Sequence, residues 1–263
     1  MRFTKMQGLG NDYLYFWGEP ENPAETARRL SDRHFGPGAD GIITIGPSDV
    51  ADFRMRIFNA DGSEAKMCGN GIRCVGKYVY DKGYTDKTRL TVETLSGIRA
   101  LELHLCGGRV KSVSADMGRA LAGEDLKLTA EGEEIVCTPV NVGNPHAVLF
   151  VASAEEAPLT TLGPVLEKHP AFPDGVNVEF VEVLTEDRLR MRVWERGSGV
   201  TLACGTGACA SAAAAVQKGF CRAGEEIAVV LDGGTLKIRI APDSGVTMTG
   251  PAEFVYEGET DLC

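Results

Sequence analysis

The chain has 263 residues, eight cysteines and a formal net charge of -10 at neutral pH, enough length to bury a core in each of two ordinary domains. Apolar residues are 43% and charged residues 24% of the total, the balance of a globular protein, which excludes a disordered chain. No apolar run reaches the roughly 18–20 residues of a membrane-crossing helix, and the acidity, without a basic patch, argues against nucleic acid as a partner. The first residues run directly into a strand-like pattern with no export signal, so a cytoplasmic location with reduced thiols is expected.

In chain order, an apolar opening breaks at Gly10-Asn11-Asp12 and resumes at Tyr13-Leu14-Tyr15-Phe16. A helix is expected over 23–35 and a strand over 41–45. The strand Arg54-Met55-Arg56-Ile57-Phe58-Asn59 then leads, nine residues on, to Cys68-Gly69-Asn70-Gly71. Behind that cysteine Ile72, Val75, Tyr78 and Val79 recur at helical spacing, closed by Lys82-Gly83. Hairpin strands follow over 90–93, 98–105 and 110–116. The strand signal lapses between Asp116 and Glu124, which sets the expected domains at 1–117 and 118–263, with the last residues packing back on the first half.

The second half repeats the first. A strand over 138–142 breaks at Gly143-Asn144-Pro145-His146 and resumes at 147–151. A helix over 159–169 and a strand over 176–181 precede Arg190-Met191-Arg192-Val193-Trp194-Glu195, and nine residues on comes Cys204-Gly205-Thr206-Gly207. Both strand-and-cysteine blocks keep a constant offset of 136 residues. The helix from about Gly205 to Lys218-Gly219 is nearly all Ala and Ser, small enough to be enclosed by other backbone, and strands over 226–231, 235–240 and 246–249 close the half. The expected fold is α+β: two pseudo-two-fold-related domains, each a curved, mostly antiparallel sheet wrapped around a central helix.

A cysteine at a helix start lies among unpaired N–H groups near about half a positive charge, which lowers its pKa and makes thiolate accessible. The glycines at 69, 71, 205 and 207 admit a ligand close to the backbone, and the same N–H groups suit a carboxylate. Two such thiols on opposite sides of one α-carbon would be the two bases of an amino-acid racemase. Against this, free cysteine is commonly a buried core residue; that plainer account is taken for Cys74, Cys106, Cys137, Cys209 and Cys221, and Cys263 has no evident role. Cysteine and histidine spacings match no metal site. Asn11 and Asn144 fit turns on their own, and Glu195 with Arg196 fits a solvated pair.

The blocks Lys5 to Asp12, Asn59-Ala60-Asp61-Gly62-Ser63-Glu64, Met67 to Cys74, Gly143 to His146, Glu195-Arg196-Gly197 and Ala203 to Gly207 resemble the signature of the diaminopimelate epimerases, from the first residues to about Tyr256. The resemblance implies an isomerase independent of pyridoxal phosphate and of metals, which interconverts LL- and meso-diaminopimelate for lysine and cell-wall synthesis. It implies that Cys68 and Cys204 are the two catalytic bases, the first acting on the LL and the second on the meso substrate. Gly69, Asn70, Gly205 and Thr206 would hold the reacting carboxylate and amine region, and Asn11, Asn59, Asn144, Asn177 and Arg196 the distal end. His146 and Glu195 would contact the reacting amino group and tune the thiols. The only partner implied besides the small amino-acid substrate is a second copy of the chain. One position departs from the family: Gly41 follows Asp40 where some members carry Gln. Related two-cysteine racemases of proline, hydroxyproline or histidine, and a non-catalytic thiol switch or ligand-binding protein, are the alternatives.

Overall fold

The computed structural model describes residues 1–261. It contains two compact units, Met1–Ala115 with the segment from Gly250 onward, and Asp116–Thr249. The division therefore falls two residues before the sequence expectation of 1–117 and 118–263, and the returning segment starts at Gly250.

The first unit contains β1 (Arg2–Gly8), β2 (Asn11–Trp17), α1 (Pro23–Ser31), β3 (Gly41–Gly46), β4 (Phe53–Asn59), β5 (Glu64–Ala65) and α2 (Gly69–Asp81). Strands β6 (Arg89–Thr94), β7 (Gly97–Cys106) and β8 (Arg109–Arg119) follow, the division falling within β8. The second unit continues with β9 (Leu121–Ala122), β10 (Leu126–Ala130), β11 (Glu133–Asn141), β12 (Pro145–Phe150), α3 (Leu159–Glu167), β13 (Asn177–Thr185), β14 (Arg188–Glu195) and β15 (Gly199–Val200). It is completed by α4 (Gly205–Gln217), β16 (Glu226–Leu231), β17 (Gly234–Ile240) and β18 (Gly245–Pro251), and β19 (Glu253–Glu259) returns to the first unit.

Strand pairing repeats. In the first unit β1–β2–β3–β4–β6–β7–β8 pair in the series antiparallel, parallel, antiparallel, parallel, antiparallel, antiparallel. In the second, β11–β12–β13–β14–β16–β17–β18 pair in the same series. The fold is α+β, and the duplicated sequence is a duplicated topology.

Local chemistry explains where the elements begin and end. Helix α1 starts at Pro23 under Asn22, whose side chain accepts from the Glu25 N–H. It stops at Ser31, short of the expected 35, because the Asp32 side chain accepts from the N–H groups of His34 and Phe35 and turns the chain. Helix α3 likewise ends at Glu167, not His169. The strand β19, the strand β10 and the part of β11 before Thr138 lie outside the sequence expectation; β19 pairs with β1 and completes the first unit's sheet.

Each sheet buries both faces. In the first unit Phe3, Leu14, Phe16, Ile42 and Phe58 pack against Ala27 and Leu30 of α1, while α2 lies against β1, β2 and β7. In the second unit Ala147, Leu149, Val178 and Phe180 pack against Leu159 and Leu166 of α3. The alternate residues of β12 and β13, among them His146, Asn177 and Glu179, therefore face the other way, where α4 packs on β11, β12, β13 and β14. The elements thus place polar residues of two strands on the face that α4 covers.

Candidate active site

Cys68 and Cys204 are the N-cap residues of α2 and α4, both extended in backbone, and each thiol accepts from a glycine N–H three residues on, at 3.3 Å from Gly71 and from Gly207. The helix terminus expected at both cysteines is present. The helices themselves are buried on nearly every face, which fixes their first turns.

In the first unit Cys68 is partly buried, and its thiol donates to Asn11 Oδ1 at 3.4 Å. Asn70 Nδ2 reaches the same oxygen at 3.4 Å. The orientation of the Asn11 amide has a physical cause: its Nδ2 donates to Asp40 Oδ2 at 2.7 Å, and a carboxylate only accepts, so the oxygen must face the thiol. Asp40 is held in turn by Arg33 at 2.8 Å. Burial pushes the Tyr13 hydroxyl well above its ordinary range, with Cys68 and Asp40 adding to the effect. Arg73, fully buried on α2, donates to Gly69 O and Asn70 Oδ1 at 3.1 and 3.0 Å and to Pro251 O at 3.2 Å. Asn59 lies at the end of β4 and donates to Ser63 Oγ at 3.1 Å. At Gly41 a Cβ would overlap the Phe58 carbonyl oxygen and stand 2.9 Å from the Tyr13 ring, so this backbone has no room for a side chain.

In the second unit Cys204 is buried and Thr206 Oγ1 lies 3.6 Å from its sulfur. Asn144 Nδ2 donates to Thr206 Oγ1 at 3.2 Å, and Asn144 Oδ1 faces His146 Nε2 at 3.0 Å. His146 Nδ1 meets Glu179 Oε1 at 2.6 Å, with both side chains fully buried. Asn177 donates to Pro145 O at 3.2 Å and accepts from the Arg196 N–H at 2.9 Å. Arg196 is exposed, and its guanidinium donates to Asp174 O at 2.7 Å. Glu195 accepts from the Thr201 hydroxyl. Burial raises the Glu195 carboxyl, with Glu179 adding to the effect.

Here the structure corrects one expectation. Burial first, then the carboxylates of Glu195 and Glu179, push the Cys204 thiol well above its usual value, so the helix terminus does not make this sulfur a resting thiolate. Among the other cysteines Cys74, Cys137, Cys209 and Cys221 are buried as expected, but Cys106 is exposed at the end of β7, where the chain turns outward at Gly107. Cys263 lies outside the described residues.

Glu179, Tyr13, Asp40, Arg73 and Thr201 do not stand out in the sequence as site residues. Glu179 leaves a signal, one acidic residue inside the apolar run Val176 to Val181. The others become visible only through the contacts that the folded chain gives them. Among the described residues no group of three or more His, Cys, Asp and Glu is placed to hold a metal ion, and no helix is long and apolar enough to cross a membrane.

Solved structures share this architecture. A hydroxyproline epimerase from Agrobacterium vitis superposes with a TM-score of 0.76 at 19% identity, covering 98% of this chain and 91% of that one. A predicted epimerase from Pseudomonas aeruginosa gives 0.75 at 19% identity, covering 100% and 99%. In sequence, the diaminopimelate epimerase of Phocaeicola vulgatus is 52% identical over 278 residues, covering 100% of this chain and 99% of its own length. That of Methanococcus maripaludis is 50% identical over 279 residues and covers both chains completely. The diaminopimelate epimerase family profile matches residues 3–122 and 138–255, so the two cysteine-capped helices belong to a member of the diaminopimelate epimerase family.

Proposed function

We propose that the protein interconverts LL- and meso-diaminopimelate by two-base proton transfer at one α-carbon, without a cofactor, as a step toward lysine and cell-wall precursors. The observation that carries this is the thiol turn made twice: a cysteine at a helix N-cap, bonded to the N–H of a glycine three residues on. One sulfur takes the Cα proton and forms an S–H bond, while the electron pair left behind spreads into the carboxylate. The other sulfur gives its proton to the opposite face and becomes the thiolate. Growing charge on the carboxylate is met by helix N–H dipoles that need no reorganisation.

In this assignment Cys68 and Cys204 are the bases, and Gly69, Asn70, Gly205 and Thr206 hold the reacting carboxylate and amine region. Asn11, Asn59, Asn144, Asn177 and Arg196 bind the distal amino-acid end, and His146 and Glu195 contact the reacting amine. Support comes from the hydrogen bonds that tie Asn11 to Cys68 and link Asn144 to Thr206. A homodimer and a cytoplasmic location belong to the same proposal.

The test is isotope exchange. The purified protein in D2O, with no added cofactor, is expected to place deuterium at the α-position of diaminopimelate while interconverting the two isomers. Lysine, alanine and proline are expected to stay unlabelled, because a distal site of amides and a guanidinium is left unpaired by a plain side chain, a mismatch able to reject an analogue by about 10⁴-fold. No uptake by diaminopimelate overturns the proposal. Comparable uptake by lysine overturns the distal assignment alone.

A further inference from the structure

The duplication makes each thiol turn a control for the other. Strand register puts Tyr13, Gly41 and Asn59 side by side in the first unit, as it puts His146 beside Asn177 in the second, next to Glu195. Two residues further along β3 and β13 stand Ile43 and Glu179. A Cβ on Gly71 would meet Ile43 Cδ1 at 2.6 Å, and a Cβ on Gly207 would meet Glu179 Oε1 at 2.8 Å. The same place beneath the helix turn is filled by an isoleucine in one unit and by a fully buried carboxylate in the other.

Packing alone does not call for that carboxylate, since an apolar side chain fills its counterpart. Burying it is costly unless it is paired. His146 Nδ1 satisfies Oε1, but Oε2 has no hydrogen-bond partner among the described residues. Oε1 and the Cys204 sulfur lie 2.8 and 3.2 Å from the point that a Cβ on Gly207 would occupy, which keeps them within the roughly 6 Å over which one anion opposes another. A helix N-terminus favours one anion, and in this unit the carboxylate already occupies the floor beneath it.

We propose that Glu179 is a positioning residue of the epimerisation, its buried carboxylate holding His146 by Nδ1 and making Cys204 the protonated member of the thiol pair in the resting enzyme. The inference rests on the two-thiol function above. The resting enzyme is thereby loaded for the direction in which Cys68 takes a proton and Cys204 gives one. Cys204 then ends as the thiolate and Cys68 as the thiol. Glu195 of β14 and His146 of β12 are further titratable groups at this turn, and burial with Glu195 and Glu179 pushes the thiol upward.

The experiment follows iodoacetamide labelling of Cys204, resolved by peptide mass spectrometry, across pH in the full chain without substrate. Glu179→Gln keeps the shape and removes the charge, and is expected to move the midpoint of Cys204 labelling down by about one pH unit or more. Glu179→Leu, which restores the apolar floor of the other turn, is the second charge-free variant and is expected to move it the same way. Glu179→Asp keeps the charge and is expected to stay near the wild type. An unmoved midpoint in the charge-free variants, or an equal move in Glu179→Asp, overturns the proposal. Labelling needs no turnover, so this outcome is separate from failure of the two-thiol function, which would show as full turnover by Cys204→Ala.

Discussion

At Cys204 two elementary effects oppose each other. The terminus of α4 and the Gly207 N–H favour the thiolate, while burial and the carboxylates of Glu195 and Glu179 favour the thiol and prevail. At Cys68 the sulfur meets an amide oxygen that Asp40 holds in place. Each sulfur still carries one half of the proposed reaction, so Cys68→Ala and Cys204→Ala should each lower turnover by about 10²–10⁴-fold, the usual share of a general acid or base. A loss under tenfold, measured by isomer-resolved chromatography, would remove that cysteine from the mechanism; Cys74→Ala and Cys209→Ala should retain turnover. Arg196→Lys keeps the charge but loses the planar fork, and a fall in kcat/KM of about 10- to 100-fold is expected, whereas wild-type kinetics would mean the fork is unused. The sequence exposes the two cysteines because glycine-flanked copies recur at one offset. It conceals Asp40 and Arg73, because their meaning depends on which residue of a neighbouring element each one meets.

The helices that carry the two sulfurs show why some elements are legible in the sequence and others are not. Helix α2 announces itself by apolar spacing, and α4 by a run of small residues whose enclosure follows from packing: Ala208, Ala210, Ala212 and Ala214 are all fully buried. Helix α1 reads too long because apolar periodicity does not register an Asp32 side chain that captures two N–H groups. Strand β19 escapes notice because Val255, Tyr256 and Glu257 point largely to solvent, and its reason to be a strand is its pairing with β1, more than 240 positions away in the chain. Enclosure of α4 has a measurable consequence. With β-strands packed around it, Ala212→Leu has no space to enter and should cost about 1–3 kcal/mol of stability by overpacking. The midpoint of urea unfolding should therefore fall below that of the wild type, and an unchanged midpoint would mean that α4 can move away from its sheet.

Across the whole molecule the buried thiols tie stability to alkaline pH. Burial raises Cys74 from an ordinary value near 9 to about 11. Burial, with Asp125 adding, does the same to Cys137, and burial, with Asp187 and Glu186 adding, to Cys221. In the unfolded chain these thiols ionise near 9, so between pH 9 and about 11 the folded protein keeps protons that the unfolded chain has lost. The sign follows from linkage: their contribution is complete below the unfolded value and is lost as pH rises through the folded one. Each thiol should add a slope of up to about 1.4 kcal/mol per pH unit inside that window. Tyr13 and Tyr15, whose hydroxyls burial holds well above their usual range, should steepen the fall at its upper end. Unfolding free energy from urea titrations should therefore show no loss from these groups between pH 7 and 8 and a progressive decline above 9. Cys137→Ala, which removes one titrating thiol, should be less stable at neutral pH for lack of packing yet decline less steeply above pH 9. Parallel slopes for the variant and the wild type would show that Cys137 ionises alike in the folded and unfolded chains, and would leave the alkaline sensitivity to Cys74, Cys221 and the tyrosines.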